Sequence, residues 1–87
     1  MLQKLIEEFR AKKIDEYDTG KDNYNRHQIK IKGTNADFKD ICGRYGLAPI
    51  TMRNNGAVIG EYAKGDGYSV INYFALCDDI CLSIANP

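Results

Sequence analysis

With 87 residues, twelve Lys/Arg balanced by twelve Asp/Glu and 44% hydrophobic content, the chain has room for one small globular domain. Zero net charge argues against a general nucleic-acid binder, which is usually basic, and against a strongly acidic imitator of DNA. Three cysteines, an odd number, do not suit a disulfide framework and point to reduced thiols.

The opening "MLQKLIEEFRAKK" places Leu2, Leu5, Ile6 and Phe9 on one helical face. Glu7 and Glu8 come early and Lys12 and Lys13 late, which suits the helix dipole. The pattern predicts a helix over residues 1–14 that either packs on a sheet or forms a detachable arm. Its acidic residues stand where a secretory signal would be apolar, and no apolar run approaches the roughly 20 residues of a membrane span. A cytoplasmic protein without a membrane partner is expected.

Residues 15–26, "DEYDTGKDNYNR", are polar and contain Gly20; they predict a flexible loop. "HQIKIKG" then alternates, with His27, Ile29 and Ile31 on one face and Gln28, Lys30 and Lys32 on the other. This is a half-buried strand with a basic outer face. In "GTNADFKDICGRYGL", Thr34 or Asn35 can cap a helix and Asp37 favours its first turn. Phe38, Ile41, Cys42 and Tyr45 share a face, and Gly46 is placed for a C-terminal cap.

Strands follow. "LAPITMR" and "AVIGEYA" flank Asn55-Gly56, a pair suited to a type I′ hairpin turn. "YSVINYFAL" and "ICLSIA" flank "CDD". The expected architecture is a single α+β domain over 1–87, ordered α-β-α-β-β-β-β. It has about five antiparallel strands, a C-terminal meander and helices on one face.

Cys77 and Cys81 bracket Asp78 and Asp79. Their C-x₃-C spacing falls within the zinc range, but the only other soft ligands, Cys42 and His27, lie on different elements. A redox dithiol would be C-x-x-C. A hairpin turn flanked by core thiols is the reading. His27 has no nucleophile motif around it, and the glycine stretches match no phosphate-binding pattern. No catalytic residue, cofactor site or metal site is expected.

Partner binding is the remaining role. Tyr24, Arg26, Lys30, Lys32, Arg44 and Arg53 form an aromatic and basic set, and Tyr62, Tyr68 and Tyr73 add side chains typical of interface hot spots. Residues 1–53 hold eleven Lys/Arg against eight Asp/Glu, a formal +3, and residues 54–87 a formal −3. If the fold separates these halves, the surface is dipolar. In "YSVINYFAL", Val70, Phe74 and Leu76 face one way and Ile71, Tyr73 and Ala75 the other. The second face needs the N-terminal helix, a partner or a second copy to cover it.

The leading expectation is a small non-enzymatic protein-binding module, a regulator or inhibitor that occupies a surface of a larger protein or nucleoprotein. Phage-type antagonists of host defence share this size and class. An RNA- or DNA-binding domain using the basic strand face is the alternative, and a homodimer subunit the third.

Overall fold

The computed structural model describes residues 2–20, 25–47, 57–60 and 69–85. The elements run α1 (Leu2–Lys12), β1 (Lys13–Asp18), β2 (Arg26–Lys32), α2 (Asn35–Arg44), β3 (Ala57–Gly60), β4 (Ser69–Phe74) and β5 (Asp79–Ala85). The class is α+β, as the sequence leads one to expect. The strands form one antiparallel sheet in the order β1-β2-β5-β4-β3. Among the described residues the order is α-β-β-α-β-β-β, which corrects the expected one. The additional early strand is β1, read from sequence as helix end and loop. The expected strand "LAPITMR" and the Asn55-Gly56 turn lie outside the described residues.

Register assigns the two faces. Ile29, Leu82 and Ile71 stand side by side across β2, β5 and β4, and Ile31, Ile80 and Tyr73 form the next row. All six are buried, in one cluster with Leu5 and Phe9 of α1, Phe38, Ile41 and Cys42 of α2, and Leu47. Both helices therefore cover the same face of the sheet. The Phe38 and Tyr73 rings stack with centroids 5.8 Å apart. The N-terminal helix is part of the core and not an arm, because the Leu5/Phe9 stripe has no other place to leave water.

α2 shows how local chemistry sets boundaries. The Thr34 hydroxyl accepts from the Asp37 N–H, and the Asp37 carboxylate accepts from the Thr34 N–H, a reciprocal capping box. At the other end Gly46 has φ +67°, the Leu47 N–H donates to the Cys42 carbonyl at 2.8 Å and the Gly46 N–H reaches the Gly43 carbonyl at 3.5 Å. This is a Schellman close, with Leu47 buried as its apolar contact. Gly43 and Gly46 should then respond oppositely. A Cβ at either meets nothing within 4 Å, so space is not the issue. Gly43→Ala is expected to stabilise by about 0.5–1 kcal/mol through helix propensity. Gly46→Ala should destabilise by about 1 kcal/mol, the left-handed penalty for a Cβ. Urea unfolding of the two variants checks the opposite signs.

β1 pairs with β2 along its length, with the register slipping between Lys13 and Asp15 so that Ile14 is the extra residue of a bulge. It starts directly after α1. Charged residues and a bulge on an edge strand resist edge-to-edge pairing with another chain.

Candidate functional site

The face opposite the helices carries Asp15 and Tyr17 of β1; Arg26, Gln28, Lys30 and Lys32 of β2; Asp79, Cys81 and Ser83 of β5; and Val70, Asn72 and Phe74 of β4. The expected basic outer row of β2 is therefore present on one strand face. Its side chains are held in place. The Arg26 guanidinium donates to the Ser83 hydroxyl at 2.6 Å and the Ser83 carbonyl at 2.7 Å, tying β2 to β5. Gln28 Oε1 accepts from the Tyr17 hydroxyl at 3.0 Å and from the Cys81 thiol at 3.1 Å. The Lys30 ammonium lies 5.5 Å from the centre of the Tyr17 ring, in cation–π range. Lys32 donates to the Cys77 carbonyl at 3.0 Å and stands 2.7 Å from Asp79 Oδ1, in ion-pair contact.

The other expected site residues are dispersed. Arg44 lies in the helix layer, where its guanidinium grips both Glu8 carboxylate oxygens at 2.7 and 3.0 Å and Asp40 at 2.9 Å. The Tyr45 hydroxyl donates to the same Glu8 at 2.6 Å. Arg44 first, with help from Tyr45 and against the cost of burial, holds the Glu8 carboxyl down at about 2. Arg44 is thus the clamp between α1 and α2. Tyr73 is a core residue whose hydroxyl donates to Asp78, and it offers no exposed ring. Tyr24, Arg53, Tyr62 and Tyr68 lie outside the described residues.

Residues Ala75–Asp78 form the turn between β4 and β5, so the Cys77-to-Cys81 stretch is a hairpin. The turn holds Asp78 at φ +52°, and the Gly33 N–H donates to its carbonyl at 2.9 Å. Asp79 is the first residue of β5 rather than a turn residue. The two thiols part company: Cys81 is buried on the outer face, while Cys77 is exposed, against the expectation that both are core groups. Burial pushes the Cys81 thiol up to about 11, so it stays a protonated donor. Among the described residues no group of three or more His, Cys, Asp or Glu is arranged to hold a metal ion. Nor is any helix among them long and apolar enough to cross a membrane.

β4 presents Ile71 and Tyr73 to the helices and half-buried Val70 and Phe74 to the outer face; Ala75 and Leu76 belong to the exposed turn and not to either strand face. Tyr17, 36% exposed, is the outer-face residue that sequence reasoning missed. The signal was available: a polar, Gly20-centred stretch before a clear strand is also the pattern of a hairpin whose first arm includes Tyr17. No protein-family model, no curated protein and no solved structure matches this chain.

Proposed function

We propose that the chain is a small non-enzymatic protein-binding module, a cytoplasmic regulator or inhibitor that docks on a larger protein through the outer face of β1 and β2. The observation that carries this reading is the Tyr17–Lys30 pair, with the Tyr17 hydroxyl fixed by Gln28. A ring and a cation already held in place lose little side-chain freedom on docking, which is what makes such groups good anchors. Nucleic acid is the weaker reading because, among the described residues, Arg44 stands apart from Arg26, Lys30 and Lys32 and the set is met by carboxylates. Arg44 sits in the helix layer on two carboxylates, and Lys32 is engaged by Asp79, which raises its pKa. Phosphate recognition wants several cations on one surface with few competing carboxylates.

The test is affinity capture from the native host with and without nuclease, using wild type and the Tyr17→Ala/Lys30→Ala pair. A protein partner retained after nuclease is expected, with its affinity cut about thirtyfold in the variant, the size of a 2 kcal/mol hot-spot loss. Capture that disappears with nuclease, together with steeply salt-dependent binding to arbitrary oligonucleotides, would establish the nucleic-acid reading instead.

A further inference from the structure

β1 places no side chain in the hydrophobic core. It is held by its ladder to β2, by the contacts of Tyr17 with Gln28 and Lys30 on the outer face, and on the helix side by charged contacts, among which His27 is central. This residue projects to the helix side of β2, at its end, with a quarter of its side chain exposed. Its Nε2 lies 2.6 Å from Glu16 Oε1 and its Nδ1 3.0 Å from Asp18 Oδ1, so both ring nitrogens meet carboxylates of β1. A neutral imidazole has one N–H and can serve only one of these contacts; the other then sets a nitrogen lone pair against an anion. The imidazolium serves both.

The surrounding groups favour the charged form. From β1 come Glu16 and Asp18, with Lys13 on the second oxygen of Glu16 at 2.9 Å. From α1, Arg10 reaches the ring only through Glu16, also at 2.9 Å. On β5 the cross-strand neighbour is Ile84, which does not titrate. Lys13 first, then His27 and Arg10, hold the Glu16 carboxyl at about 2, so it stays an anion across the range in which a histidine titrates.

We propose that His27 is a proton-operated latch: as the imidazolium it ties Glu16 and Asp18 of the edge strand to β2, and losing the proton releases one of the two. The hydrogen bonds from Asp18 and then Glu16 raise the His27 pKa above 6.5, with burial opposing. For a group raised on folding, the stabilisation is complete below its unfolded value and is lost as pH rises through the folded one. The latch therefore opens on the alkaline side. The opening acts on β1 and not on the helix-covered core, which contains no β1 side chain.

NMR of the intact protein tests this. The His27 ring nitrogens should titrate with a midpoint above 6.5. Between pH 6 and pH 9, protection factors of the β1–β2 ladder amides, with intrinsic exchange divided out, should fall about tenfold while those of β4–β5 hold. Asp18→Asn should lower the midpoint, and His27→Gln should abolish the pH dependence of β1 protection. A midpoint at or below 6.5, pH-independent β1 protection, or a pH response that survives His27→Gln would overturn the latch.

Discussion

Replacing Phe9 by Ala is expected to lower the unfolding free energy by about 3–5 kcal/mol, the usual cost of emptying a buried aromatic site. Phe9 is fully buried, and its cluster draws on both helices and three strands. A domain this size has only about 5–15 kcal/mol in total, so the variant should lose a large fraction of its stability. Its Tm should fall by roughly 12–40 °C, at about 4–8 °C per kcal/mol. Lys4→Ala, on the exposed side of the same helix, should shift stability by under about 0.5 kcal/mol. A detachable arm would behave otherwise: Phe9→Ala would leave the melting transition in place and weaken only a partner contact. Thermal unfolding of the two variants separates the cases.

Gly33→Ala should also be costly, by about 1–3 kcal/mol, for want of room rather than for backbone strain. A Cβ at this position would lie 2.5 Å from Ile80 Cδ1 and 3.3 Å from both Ile80 Cγ1 and Asp37 Cβ. Ile80 cannot swing aside easily, since it is fully buried with Ile31 and Tyr73 as its cross-strand neighbours. The backbone is also pinned, because the Gly33 N–H is bonded to the Asp78 carbonyl of the β4–β5 turn. Shortening the neighbour should relieve the clash. Ile80→Val alone costs about 0.5–1.5 kcal/mol, yet in the Gly33→Ala background it should cost less, with a coupling of at least about 0.5 kcal/mol. Additive costs in that cycle would mean the two residues do not meet.

Features written in neighbouring residues were legible. A cap at Thr34 or Asn35, with Asp37 in the first turn, and the Gly46 close of α2 depend on contacts three to five residues apart, so the pattern indicates them. That Thr34 is the cap and that Asp37 answers it reciprocally came from the structure. β2 was legible because Ile29 and Ile31 alternate with polar residues and one face is buried. β1 was not, for the same reason inverted. An edge strand that buries nothing leaves no apolar alternation, and the bulge at Ile14 breaks what period remains. Its evidence is a backbone ladder, which side-chain pattern does not record. Charge was least legible. Glu8 was read for the dipole of its own helix, but it stands beyond the first turn of α1 and its strong partner is Arg44, on another helix. The +3 and −3 halves are not kept apart where Asp79 of β5 lands on Lys32 of β2. The basic set divided accordingly, with Lys30 and Lys32 on the outer sheet face and Arg44 between the helices.

The central claim is that the outer face of β1 and β2 is the docking surface. Amide and side-chain chemical-shift mapping of the labelled protein, with its nuclease-resistant partner added, tests it most directly. The expected result is a contiguous set of perturbed signals at Tyr17, Gln28, Lys30 and Lys32, with the exposed side of α2, at Lys39 and Asp40, unchanged. Perturbation centred on α1 and α2, with Tyr17 and Lys30 unmoved, would contradict it.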